Sequence, residues 1–173
     1  HGESKYIDCL ERTLYNGVIS GMSMDGGRFF YPNPLSSDGK YAFNADNTKA
    51  RQPWFGCACC PSNLCRFIPS VPGYLYGVKD NNIYVNLFAG NTSTIKVQGK
   101  DVVLEETTEY PWNGDIKISV KKSGVKNANL LVRIPGWARN QVVPSDLYKY
   151  SDAEKPAYTV TVNGKAVEAD LDA

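Results

Sequence analysis

Histidine is nearly absent from this 173-residue chain: His1 is the only one. A metal site built here must therefore draw on cysteine or carboxylate side chains, or on residues outside the chain. Charge imbalance is missing too. Nineteen Lys and Arg against eighteen Asp and Glu leave a formal +1, and no basic run stands out, so nothing draws the chain in bulk to nucleic acid or to an anionic membrane. No apolar stretch approaches the roughly 20 residues that span a bilayer. The opening HGESKYID has neither the basic start nor the apolar middle of a secretory signal. It reads as the lead-in to a helix, so the chain is expected to begin in mid-protein and leaves the compartment unset. Internal repeats and low-complexity tracts are also lacking. The length suits one full domain or two small ones.

What the chain does have is WFGCACCPSN, residues 54–63, with Cys57, Cys59 and Cys60 inside four positions. Cys65 follows closely and Cys9 stands apart. Proline fits the first position of a helix, where its missing N–H would have no partner anyway. The block thus predicts a short helix with Cys60 near its N-cap and an end near Pro69. The positive end of a helix dipole lowers a thiol pKa and favours thiolate, the form that attacks carbon or binds metal. Adjacent cysteines rarely bridge each other. Separate bridges to Cys9 and Cys65 would still leave one thiol over, and an isolated cysteine packs as a small hydrophobe. Two neighbouring thiolates repel unless a cation sits between them, and zinc is the usual one. Cys59 and Cys60 cannot complete four-coordination alone, so other ligands would be Cys57, Cys65, a carboxylate or residues outside the chain.

Along the chain, Ile7, Leu10 and Leu14 recur at helical spacing and Asn16-Gly17 is a stop signal, which predicts a helix over 4–16. Asp8 and Arg12, four apart, read as a pair on its exposed side, and Glu11 as a surface carboxylate beside that arginine. Residues 17–53 are rich in Gly, Pro, Asn, Ser and Asp, with a short strand expected at Arg28–Tyr31, stopped by Pro32 and Pro34. Phe29, Phe30 and Tyr31 read foremost as core anchors, although Tyr31 beside Asn33 could present a phenol to a polar ligand. After Pro72-Gly73 the period becomes two: Ile83/Val85/Leu87, Ile95/Val97, Val102/Leu104, Ile116/Ile118/Val120, Leu130/Val132/Ile134 and Tyr158/Val160/Val162. Turn signals at 80–82, 113–114, 123–124 and 163–164 bound these runs. Strands at this spacing predict an antiparallel sandwich, with a boundary near residue 74. Residues 140–157 read as a longer polar loop. One more strand is expected after Asn163-Gly164, and the end at 170–173 reads as cut short.

The series ERTLYNGVISGMSMDGGRFFYPNPL, WFGCACCPSNLCRFIPSVPGYLYGV, LLVRIPGWA and TVTVNGK resembles glycoside hydrolase family 127, typified by bacterial β-L-arabinofuranosidases. The resemblance spans nearly the whole chain. It implies an α+β chain by content, in which residues 1–73 are the C-terminal part of a catalytic (α/α)6 barrel and 74–173 a β-sandwich. It implies that Cys59 is the nucleophile, that Cys59 and Cys60 hold zinc, and that Tyr31 lies in the sugar pocket. The family's remaining zinc ligands, from a Glu-x-Cys motif, and its acid/base glutamate lie upstream, and no Glu-x-Cys occurs in this chain. The fragment is therefore expected to be inactive alone. The implied partners are an arabinofuranoside and, for the longer protein, a second copy of itself, with neither nucleic acid nor membrane.

The chemistry agrees with the residues. A retaining glycosidase needs a nucleophile and an acid/base, about 5 Å apart in the usual carboxylate pair, and a metal-held thiolate can replace the nucleophilic carboxylate. Two other classes compete. One is a carbohydrate-binding or structural sandwich whose cysteines are structural, with Trp112 and Trp137 as a stacking platform, although both read first as core. The other is a thiol redox module using Cys57-x-x-Cys60, which no βαβ pattern supports.

Overall fold

The computed structural model describes residues 2–152 and 158–171. The chain is α+β, with two α-helices and eight strands among the described residues. By compactness it divides into two units. One runs up to Cys9 and resumes at Tyr74; the other is Leu10–Gly73. No described helix is long and apolar enough to cross a membrane.

The first helix, α1 (Ser4–Arg12), does not stop at Asn16-Gly17. It passes into a π-helical turn, Thr13–Val18, and a 3-10 turn, Ile19–Gly21. The i→i−5 bond from Ile19 N–H to the Leu14 carbonyl marks the wider turn. Its late carbonyls have tertiary partners, which a local stop signal cannot anticipate: Asn33 Nδ2 donates to Gly17 O, and Arg51 donates to Ser20 O. The expected Asp8–Arg12 surface pair is corrected. Asp8 is largely buried and pairs with Arg133 at 2.6 Å. Glu11 is buried as well, at 7 % exposure, because it shares one helical stripe with Ile7 and Leu14.

In the unit from Tyr74 onward, two three-stranded sheets and a hairpin form. β1 (Tyr76–Lys79) pairs antiparallel with β2 (Asn82–Val85). β3 (Asn91–Val97), β4 (Lys100–Thr108) and β5 (Ile116–Ser123) form an antiparallel meander. β6 (Asn129–Val132) lies parallel to β2, from Asn82↔Asn129 to Val85↔Val132. The expectation of a purely antiparallel arrangement is corrected there. The β2–β6 connection contains the whole meander, so no tight turn forces reversal, and the register is pinned by the 2.8 Å bond between the Asn129 and Asn82 side chains. β7 (Val160–Val162) and β8 (Lys165–Val167) make the last hairpin, around Asn163 and Gly164, both at positive φ. Residues 153–157 of the expected polar loop and 172–173 of the expected end lie outside the described residues.

Period-two alternation sends Ile95 and Val97 of β3, and Val102 and Leu104 of β4, to one face. There they cluster with Ile83 of β2, and Tyr76 and Val125 pack alongside. Glu106 continues the inward row of β4 and is 2 % exposed. Its carboxylate accepts from Tyr76 Oη (3.1 Å) and from Ala89 N (3.2 Å). Trp112 and Trp137 are not core: they are 92 % and 50 % exposed.

Candidate functional site

In the Leu10–Gly73 unit the aromatic block does not become a strand. Phe29 forms single bridges to Met22 on one side and Gln52 on the other. Its N–H and carbonyl both bond Gln52 at 2.8 Å, and Phe30 N–H bonds Gly21 O at 2.8 Å. The short stretch is thus held from two sides, and the prolines after it end the pairing. Phe29 is buried against Trp54, while the Tyr31 ring stands edge-on to buried Phe55, centroids 5.5 Å apart.

The second helix, α2 (Cys59–Phe67), begins two residues before the position expected from proline. Ala58 is its N-cap, and a 3-10 turn continues from Ile68 to Tyr74. Pro61 is the third helical residue, still among the first-turn positions whose N–H would have no intrahelical acceptor. The first intrahelical bond is Ser62 N–H to Ala58 O. Cys59 and Cys60 therefore occupy the first two helical positions, at the positive end of the dipole.

The fold brings Tyr31, Cys57, Cys59 and Cys60 together. Tyr31 Oη lies 2.8 Å from Cys59 Sγ and donates to Cys57 Sγ at 3.7 Å. Cys59 and Cys60 Sγ are 3.8 Å apart. Both sulfurs were expected to share a lowered pKa, but they split. The Cys59 thiol is pulled down, first by the Tyr31 hydroxyl and then by the Cys60 thiol. Cys60 is pushed up, by burial and then by its bond to Cys59. Tyr31 is pushed up because its proton bridges to Cys59 and Cys57. The Tyr31 hydroxyl and the Cys60 thiol thus both lie against one sulfur, and Cys59 ionises more readily than Cys60.

All five cysteines are free. Two sulfurs on one tetrahedral zinc, with bonds of about 2.3 Å, lie about 3.8 Å apart, so the Cys59–Cys60 separation fits two corners of such a site. The described residues contain no group of three His, Cys, Asp or Glu that could hold a metal ion. His1 lies outside the described residues. Cys9 and Cys65 are exposed thiols on the helices.

Sequence reasoning missed Asn44. It is 4 % exposed, and its Oδ1 accepts from Tyr31 N–H at 2.7 Å and from Ala45 N–H at 3.1 Å. A loop asparagine without periodicity carries no signal that it lies behind a particular tyrosine.

Comparison with known proteins places this geometry in context. Residues 1–73 match the β-L-arabinofuranosidase GH127 catalytic domain, and residues 82–172 the GH127 middle domain. A non-reducing end β-L-arabinofuranosidase of Bifidobacterium longum subsp. longum is 32% identical over 98% of this chain and 24% of its own length. A solved structure described as a GH127 β-arabinofuranosidase is 57% identical, with TM-score 0.87 over 99% of this chain and 26% of that one. A GH127 β-L-arabinofuranosidase from Geobacillus stearothermophilus T6 is 37% identical, with TM-score 0.73 over 96% and 24%. The chain spans about a quarter of the length of each of these relatives. With two domain matches in order and a relative 57% identical, the chain belongs to glycoside hydrolase family 127.

Proposed function

We propose that this chain is the nucleophile-bearing part of a retaining glycosidase that removes terminal β-L-arabinofuranosyl residues. The observation that carries the reading is the convergence of the Tyr31 hydroxyl and the Cys60 thiol on Cys59 Sγ at the N-terminus of α2. Cys59 as thiolate attacks the anomeric carbon, and the bond from that carbon to the leaving oxygen breaks. An acid/base group outside this chain protonates that oxygen, then deprotonates the water that cleaves the thioglycosyl bond and returns the thiolate. Tyr31 lies beside the reacting sulfur, where a sugar ring would enter. Cys59 and Cys60 are the residues that would hold zinc, which, when bound, keeps the sulfur ionised at neutral pH. Residues 1–73 are read as the last part of an (α/α)6 barrel, and the sheets after residue 74 as a β-sandwich.

In the full-length protein, Cys59→Ser should abolish hydrolysis of an aryl β-L-arabinofuranoside while the far-UV circular dichroism of the folded protein is unchanged. Retained turnover would remove Cys59 from the mechanism. Cys60→Ser should lower bound zinc measured by mass spectrometry, and unchanged metal content would remove it as a ligand. This chain alone should show no hydrolysis.

A second reading, a non-catalytic carbohydrate-binding module, draws on the 92 % exposure of Trp112, since an exposed indole can stack on a sugar ring. It predicts that Trp112→Ala in the full-length protein weakens retention on arabinan without changing kcat on a small aryl glycoside.

A further inference from the structure

Tyr31 reaches Cys59 only if the backbone at residue 31 is fixed, because a phenol pivots about a ring with two rotatable bonds. Two contacts fix it. One is the edge-on contact with Phe55. The other is the bond from Tyr31 N–H to Asn44 Oδ1, at 2.7 Å the shortest that the Asn44 side chain makes. The same oxygen accepts from Ala45 N–H, and Asn44 Nδ2 donates to Ala50 O at 2.9 Å. The residue's own N–H bonds Thr48 O at 3.0 Å. This buried amide therefore uses its acceptor twice and its donor once, and closes the loop 44–50 against the back of Tyr31. Aspartate would keep the acceptor and lose the donor, and alanine would lose both while stranding Tyr31 N–H.

We propose that Asn44 is a positioning residue that acts on the site through Tyr31, holding its hydroxyl on Cys59 Sγ. This deepens the glycosidase reading and rests on it for its place in catalysis, but the geometric link stands independently of any substrate.

The test compares the full-length protein with its Tyr31→Phe, Asn44→Ala and double variants. Carbamidomethylation of Cys59 by iodoacetamide is followed at fixed pH by peptide mass spectrometry, and kcat and KM are measured on an aryl β-L-arabinofuranoside. If Asn44 acts through the hydroxyl, both single variants change the alkylation rate by the same factor, about fivefold for one hydrogen bond. The double variant then shows no further change, and kcat falls with KM unaltered. An alkylation rate unaffected by Asn44→Ala, or effects that multiply in the double variant, would overturn the proposal, since multiplying effects mark residues that act independently of each other. Should Asn44→Ala fail to fold, Asn44→Asp, which keeps the acceptor, should leave alkylation within about twofold of the parent; a change as large as that of Tyr31→Phe overturns the idea. Loss of the fold in both variants also overturns it, because the amide would then be holding the loop as a whole. Absence of turnover in the parent would defeat the glycosidase reading, while alkylation would still report on Asn44.

Discussion

The half-buried Asp8 and the buried Glu106 face different partners. Asp8 meets a guanidinium, whereas Glu106 meets neutral donors only: Tyr76 Oη, Asn91 Nδ2 and Ala89 N–H. Burial raises the Glu106 pKa above its ordinary value of 4.5, and those hydrogen bonds offset only part of the rise. A carboxyl raised in the folded state binds its proton more tightly there than in the unfolded chain. Its contribution to stability is therefore complete below about pH 4.5 and is lost as pH rises through the folded value. Glu106→Gln should flatten that fall, so the urea midpoint of the variant should gain on the parent between acid and neutral pH. A midpoint that changes with pH across this window as steeply in the variant as in the parent would refute the assignment. The cysteine group was legible in the sequence because its members are adjacent. Their division was not, because it depends on a hydroxyl 28 residues away from Cys59, and Asn44 behind it follows no pattern at all.

Elements were legible wherever a local pattern was sufficient. Alternation located the inward rows of β3 and β4, and Asn163-Gly164 marked its hairpin because both residues must take positive φ. Gln98-Gly99 makes the equivalent turn between β3 and β4, at φ 50° and 75°, but glutamine is an uncommon residue there and reads as one more strand position. The direction of β6 and the extension of α1 beyond Asn16 were not legible, since distant partners decide both. The Gln98-Gly99 turn supplies a test of backbone strain free of packing. A Cβ at Gly99 would meet nothing within 4 Å, so Gly99→Ala should cost about 1 kcal/mol from the left-handed backbone alone. Gly114 is equally open without a positive φ, and Gly114→Ala should cost nothing or stabilise slightly. Equal midpoints for the two variants in chemical denaturation would show that the turn is not held in that conformation.

At the scale of the whole molecule, family matching assigns residues 1–73 and 82–172 to different domains, yet the compact unit from Tyr74 onward also takes in the chain up to Cys9. Asp8 explains how. Its carboxylate pairs with Arg133 Nη1 at 2.6 Å across 125 residues of sequence, with side-chain exposures of 12 % and 3 %. Arg139 lies 3.8 Å from the other oxygen. Arg133 also donates from Nε to Asn86 O at 2.6 Å, and its guanidinium sits 5.4 Å from the centre of the Phe88 ring. A cation so enclosed is costly without a counter-charge, so removing the Asp8 carboxylate takes away much of its compensation. Asp8→Ala should therefore destabilise the full-length protein by about 3 kcal/mol. Lys121→Ala, which breaks the exposed 3.1 Å pair with Glu105, should cost at most about 1 kcal/mol. The comparison is made by urea unfolding at neutral pH, with 0.5 M salt as the second condition. Added salt should shrink the Lys121 effect and leave the Asp8 effect nearly intact, because only the exposed pair is screened. If both effects vanished in salt, the Asp8–Arg133 pair would be a surface contact and something else would draw the start of the chain onto the β unit.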